Sequence, residues 1–197
     1  MRAVLVDWLV EVQLQFKLLQ ETLFSTVDII DRYLAVDGAN ITRSRLQLVG
    51  VSAMFLAAKV EEVYAPKCSD FVYITDNAYS EAEIKATEIK ILRCLEFDLF
   101  QPASLHFLRR YSKVCYCSFP RILTSPQAGD VDVLQHSLAK YSLEVGLLEY
   151  SLVPTAGSQL AASALFLSLL LLEPETSQVG VFTTTIVSLV RVGVARE

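Results

Sequence analysis

From Leu46 to Ala58 the chain reads LQLVGVSAMFLAA, with no charge and apolar side chains nearly all round a helical wheel. A helix of that kind has no face to offer water, so other helices must enclose it. A second segment makes the same demand: residues 150–172 carry no charge, and Leu160–Leu172 reads LAASALFLSLLLL. Its strictly apolar stretch is about 13 residues where a membrane span needs roughly 20. Its flanks are Glu149 and Glu173, not Lys or Arg, so a buried core helix is the better reading. Ser163-Ala164-Leu165-Phe166-Leu167 echoes Ser52-Ala53-Met54-Phe55-Leu56. With both copies on all-apolar helices, an internal repeat is plausible.

The segments around these two helices are also helical. Residues 1–17 carry two apolar stripes, Met1, Val4, Leu5, Trp8, Val12 and Phe16 on one and Ala3, Val6, Val10 and Leu14 on the other. Such a helix sits deep in a bundle or shows one stripe to a partner. Residues 20–36 repeat Leu23, Val27, Ile30 and Leu34 on one side, and Asp37–Asn40 reads as a turn. The uncharged helix starts after Thr42 or Ser44 and runs to about Glu62. Cys68–Thr75 is a short helix or turn, and Ser80 with Glu83 forms a capping box that opens a helix to Leu95. Beyond Pro102, Leu105–Lys113 is helical, residues 114–127 break the pattern, and residues 130–149 resume it with Val131, Leu134, Leu138, Tyr141, Val145 and Leu148 at helical spacing. Ala156–Leu172 is the second apolar helix. Residues 178–197 are rich in Val and Thr, with strand propensity and no partner. Because residues 1–17 have neither cap nor leader, either something upstream is expected to be missing or Met1 opens a truncated product.

Composition narrows the function. Seventeen basic and 22 acidic residues give a net charge of −5, which argues against a general nucleic-acid binder. The hydrophobic share of 53% suggests apolar surface that faces something other than water. The four cysteines, with no signal peptide, point to a reducing compartment. No Gly-rich phosphate loop, nucleophile elbow or metal-spaced Cys/His cluster is present, and Cys115-x-Cys117 lacks a second pair. Neither a metal nor a cofactor is expected, and the function is expected to be binding without enzymatic chemistry.

One charge is out of place. On the 80–95 helix Ile84, Ile91, Leu92 and Leu95 form the apolar stripe, and Glu88 lies within it. A carboxylate there is costly unless paired. Lys59 is the first charge after the uncharged run. Each has an ordinary explanation: a cation near a helix C-terminus for Lys59, an edge position reaching water for Glu88. The sharper alternative pairs them with each other, in the middle of an apolar interface.

MRAVLVDWLVEV, LQETL, DRYL, LQLVG, AAKVEE, DFVYITDNAY, HFLRRYSK and LAKYSLE resemble the cyclin boxes of mitotic, B-type cyclins, with A-type members close behind. The likeness covers 1–113 almost without interruption and 128–173 again. It implies an all-α cyclin fold of two five-helix repeats around a central apolar helix. Residues 1–98 would be the N-terminal box, 99–175 a second, incomplete cyclin fold with an atypical insert at 114–127, and 176–197 an atypical tail. The implied role is regulatory subunit of a cyclin-dependent kinase at the G2/M transition, in nucleus and cytoplasm, with no nucleic acid or membrane among its partners. By resemblance, Lys59 and Glu88 fall where the family contacts the kinase, with Leu56, Val60, Ile89, Leu92 and Phe97 as apolar surroundings. Also by resemblance, MRAVL matches a substrate-docking patch for Arg-x-Leu peptides. Met1, Val4, Leu5 and Trp8 would supply its groove, Glu11 would receive the arginine, and Leu46 and Gln47 would close the far side. The alternative arrangement makes the Met1/Trp8 stripe core and turns Val6 and Val10 outward.

The chain also departs from the family. Residues 114–127 interrupt what should join Lys113 to Ala128, the second repeat stops after its third helix, and the tail from Gln178 has no counterpart. Codons for Val114-Cys115, Ser125–Gln127 and Gln178–Gly180 can mimic splice sites. A truncated or mis-spliced product that is inactive, or interferes with kinase binding, is therefore the alternative to a working subunit.

Overall fold

The computed structural model describes residues 1–118 and 133–172, with the backbone alone for 114–118. Among the described residues it is all helix, eight α-helices joined by short 3-10 turns, with no strand. The chain divides into two units, Met1–Gln101 and Pro102–Glu197.

The first unit contains α1 (Arg2–Phe16), α2 (Gln20–Asp37), α3 (Leu46–Glu61), α4 (Cys68–Ile74) and α5 (Glu81–Cys94). α3, uncharged from Leu46 to Ala58, packs against α1, α2, α4 and α5. Every residue from Leu48 to Ala58 is buried, as a helix without a polar face requires. The wheel of α1 resolves differently from either stripe alone. Its buried face is Leu5, Val6, Leu9 and Val12, centred on Leu9, while Met1, Val4 and Leu14 are exposed. The core thus takes the inner half of each stripe. At the crossing with α3, a Cβ on Gly50 would lie 2.8 Å from Leu5 Cδ1, so the glycine is what lets Leu5 seat there.

Polar groups fix the helix ends. Ser80 caps α5 reciprocally: Glu83 N–H donates to Ser80 Oγ at 3.3 Å, and Ser80 N–H donates to Glu83 Oε2 at 2.9 Å. These bonds hold the Glu83 carboxyl below its ordinary value. α2 has no side-chain cap of its own. Its start is capped from α3 instead, since Glu62 Oε1 accepts from Leu19 N–H at 2.7 Å and from Thr22 Oγ at 2.6 Å. Glu61 Oε1 takes Ser25 Oγ at 2.8 Å. Two acids at a helix C-terminus are badly placed for its own dipole, but here they meet the positive end of the neighbour. Arg2 forks onto Asp31, with Nε–Oδ1 and Nη2–Oδ2 both 2.7 Å, and ties α1 to α2.

The second unit packs α6 (Ser104–Ser118), α7 (Val133–Gly146) and α8 (Gly157–Leu172) against one another. α8 and α3 are both sixteen residues long, and the echoing pentapeptides begin at the same point along them. Their surroundings differ, for Ser52 is buried and Ser163 exposed.

One expectation needs correcting. α6 continues to Ser118, so the interruption at 114–127 starts as helix. On α7, the apolar row Leu134, Tyr141 and Val145 is exposed, and the buried face is Gln135, Ala139 and Leu143. The small Ala139 suits close packing where the larger side chains of that row do not. His136 shares a 2.9 Å hydrogen bond with Ser112 Oγ. Burial, then Lys140 and Arg109, push its imidazole below the ordinary value. The remainder of 114–127, the start of the resumed pattern before Val133, and the Val/Thr tail lie outside the described residues.

One cluster predicts acid sensitivity. Asp37 accepts from Asn40 Nδ2 at 2.7 Å, from Lys90 Nζ at 2.6 Å and from Tyr33 OH at 2.9 Å. These bonds lower its carboxyl to about 2. A carboxyl depressed in the folded state stabilises above its unfolded value and loses that contribution as pH falls through the folded one. Stability should therefore decline between about pH 4 and pH 2. Urea titrations at stepped pH should show a shallower decline in Asp37→Asn, and an unchanged decline would refute this assignment.

Candidate functional site

Lys59 is the point where α3 emerges from its enclosure: Ala58 is fully buried and Lys59 is exposed. Glu88 lies on the opposing face of α5 between Ile84 and Ile91, both fully buried. The two meet, with Lys59 Nζ 2.6 Å from Glu88 Oε1. The pair is lopsided, for the Glu88 side chain is 11% exposed and that of Lys59 41%. The ammonium also sits 3.8 Å from the centre of the Phe55 ring, a cation–π contact. Phe55 meets Phe71 of α4 edge-on at 5.4 Å, and Phe71 meets Phe16 of α1 at 5.2 Å. The Phe55 ring under the ammonium is thus backed by a chain of rings from three helices.

Apolar side chains flank the pair on the outer side. Val60 follows Lys59 and is 49% exposed, and Ile89 follows Glu88 and is 48% exposed. Leu92, one turn along α5 from Glu88, is half-buried. Phe97 is 69% exposed on a left-handed backbone, φ 62°, directly after Glu96 at φ 51°. Such a conformation costs a residue with a side chain roughly 1–2 kcal/mol. Leu56, on the enclosed part of α3, is buried. Val63 and Tyr64, which sequence reasoning passed over, are almost wholly exposed just after α3. Their signal was two apolar residues outside any helical period.

The second predicted group lies on α1. Met1, Val4, Trp8 and Glu11 share one side of the helix by their spacing. Met1, Val4 and Glu11 are exposed, and Trp8 is half-buried. Leu5 is buried at 8% exposure, close against Gly50. Leu46 and Gln47, both half-buried, stand about one turn before Gly50, on the side of α3 that meets α1. Among the described residues no group of His, Cys, Asp and Glu could hold a metal, and no helix is long and apolar enough to cross a membrane.

Comparison with known proteins adds to this geometry. A family model described as "Cyclin, N-terminal domain" matches residues 1–100, and "Cyclin, C-terminal domain" matches 102–192. The second match runs through 114–127 and well into the tail that the sequence alone set apart. G2/mitotic-specific cyclin-B of Arbacia punctulata is 52% identical over 176 residues, 89% of this chain and 39% of the relative. G2/mitotic-specific cyclin-B2 of Gallus gallus is 51% identical over 168 residues, 85% of this chain and 38% of that one. The chain thus spans about two-fifths of the length of these curated relatives. Among solved structures, a viral cyclin from herpesvirus saimiri superposes with a TM-score of 0.73 at 18% identity, covering 96% of this chain and 81% of that one. The CAK complex from Chaetomium thermophilum bound to ATP-gamma-S gives 0.66 at 17% identity, covering 96% and 59%. At such identities the likeness shows the fold.

The unequal burial of the ion pair makes its two halves unequal. Lys59→Met leaves a nearly buried carboxylate without its cation and should cost about 2 kcal/mol. Glu88→Gln leaves an ammonium that water can reach and should cost under about 1 kcal/mol. Urea midpoints of the two variants test the order, and equal losses would contradict it.

Proposed function

The chain belongs to the cyclin family, and from that premise we propose that it is a B-type regulatory subunit that binds and activates a cyclin-dependent kinase at G2/M. The observation that carries the proposal is the Lys59–Glu88 pair, 2.6 Å apart and bordered by exposed Val60, Ile89 and Phe97. An ion pair within an apolar surface serves recognition better than stability. Lys59 has three donors and spends one on Glu88, so others are free to reach backbone carbonyls of a partner. The apolar neighbours supply contact area.

In this reading the chain carries out no chemistry itself. It docks on the kinase's mobile helix and favours the arrangement in which the kinase's own Lys–Glu pair and activation segment are in place. That is a population shift, and it requires only that the docked surface bind the competent state better. The chain works in nucleus and cytoplasm, where its kinase is, without nucleic acid or membrane.

The test is to co-express the chain with a mitotic cyclin-dependent kinase and follow peptide phosphorylation. Activity with the wild type, and its loss in Lys59→Ala/Glu88→Ala, supports the proposal. A soluble wild-type chain that neither activates nor co-purifies with the kinase supports the inactive-product alternative. Activation followed by loss only on adding excess chain would instead mark interference.

The α1 surface is proposed to dock Arg-x-Leu substrates. Met1, Val4 and Trp8 would take the leucine, and Glu11 the arginine. Leu46 and Gln47 would border the site from α3. Such a site gains its energy from a few anchors. Trp8 is the only tryptophan of the chain, so its fluorescence reports on this site alone. Titration with an Arg-x-Leu peptide should shift the emission saturably. Glu11→Ala should raise Kd about tenfold, by loss of a charge-assisted bond. An unchanged spectrum at millimolar peptide would refute the docking.

A further inference from the structure

We propose that Glu96 is a positioning residue, whose left-handed backbone at the end of α5 holds the Phe97 ring outward as a preformed anchor for the kinase. This rests on the kinase-binding reading above and adds to it a residue outside the ion pair and its apolar border.

α5 closes in a Schellman turn. Phe97 N–H donates to Leu92 O at 2.9 Å, and Glu96 N–H donates to Arg93 O at 3.2 Å. Such a turn needs a left-handed residue, and glycine is its usual occupant. Here Glu96 and Phe97 are left-handed in succession, at φ 51° and 62°. Two other helices of the same unit serve as internal controls. α1 ends in the same bonding pattern with Lys17 at φ 55°, and the next residue is not left-handed. α4 ends with Asp76 at φ 55° and Asn77 at φ 58°. Asp and Asn tolerate this region because their short polar side chains bond locally. A phenylalanine there is a genuine outlier.

An aromatic ring usually offsets such strain by burial, yet Phe97 is 69% exposed. The fold of this chain alone therefore gains little from placing Phe97 so. Strain of this kind gathers where a group must be held for a partner. The chain is pinned on both sides of the ring. Before it stand the two turn bonds. After it, Asp98 N–H donates to Leu95 O at 2.9 Å, and the Asp98 carboxylate takes Arg32 at 3.2 Å and Gln101 at 3.4 Å. The bond to Leu92 sets Phe97 at the end of the row that begins with Glu88, since Leu92 lies one turn beyond that carboxylate. A ring ordered in advance loses less freedom on binding, and aromatic anchors carry a large share of interface energy.

The test is a double-mutant cycle on the full chain, read as kinase affinity by calorimetry, with melting temperatures beside it. Glu96→Val opposes the left-handed backbone and Glu96→Gly permits it. Phe97→Ala should weaken binding about tenfold or more, and Glu96→Val should do the same while Phe97 is present but change affinity less than about twofold in the Phe97→Ala background. Glu96→Gly should raise the melting temperature and keep affinity within about twofold of wild type. If Glu96→Val fails to fold, Glu96→Thr, β-branched but polar, closes the same cycle. Additive losses, or a Glu96→Gly variant as weak as Glu96→Val, would overturn the positioning role while leaving kinase binding intact. A wild-type chain that does not bind the kinase at all would remove the kinase-binding reading itself, and this inference with it.

Discussion

The first unit depends on enclosing α3. From Leu48 to Ala58 every side chain is buried, and burial of that many apolar groups is the main favourable term available to a domain of this size. Four other helices have to be brought around it, and each closes one side. Gly50 sets how near α1 comes, because any Cβ there would meet Leu5. Phe71 of α4 closes another side and links the rings of Phe55 and Phe16. The enclosure ends at Lys59. The place where α3 leaves the core is thereby also the place where a charge first stands beside an apolar surface.

The polar residues at that exit are arranged across elements. Glu61 and Glu62 follow Lys59 by two and three positions, and both turn back to the start of α2. They supply the cap that α2 lacks in its own sequence. The part-buried Arg2–Asp31 pair ties α1 to α2, and the more exposed Lys90–Asp37 pair ties α5 to α2. Exposed ion pairs contribute little singly. Here their value is angular: they fix how the helices around α3 are turned, and so bring Glu88 of α5 to Lys59 of α3.

Much of this was legible in the sequence, and the limits have physical causes. The uncharged run marked α3 as central, the S-x-x-E box marked the start of α5, and a carboxylate inside an apolar stripe marked Glu88. The all-helical class and the cyclin resemblance are matched by the structure and by the family models. What a wheel cannot show is where the buried arc is centred. On α1 two stripes competed, and the core took Leu9 between them, which turned Leu5 inward and left Met1 and Val4 outside. On α7 helical spacing marked the element but not its buried face, which is Gln135, Ala139 and Leu143. Caps lent by a distant element, such as Glu62 to α2, leave no local pattern. Left-handed residues that are not glycine leave none either, so the conformation of Glu96 and Phe97 is visible only in the backbone.

The asymmetry of the ion pair bears on how such a surface can work. Glu88 is nearly buried and Lys59 is not, so the carboxylate is oriented by the fold and the ammonium is oriented chiefly by the carboxylate and the Phe55 ring. A long lysine stem left alone would sample many rotamers, and ordering it on binding would oppose association. Anchoring it from below removes most of that cost in advance while keeping its outer donors available. The same logic governs the turn after α5, where the backbone holds an aromatic ring in the open. In the proposed kinase-binding role, charge and ring would thus both be set by internal structure before the partner arrives. A surface prepared in this way can favour one arrangement of a mobile partner over another, because it does not adapt to both.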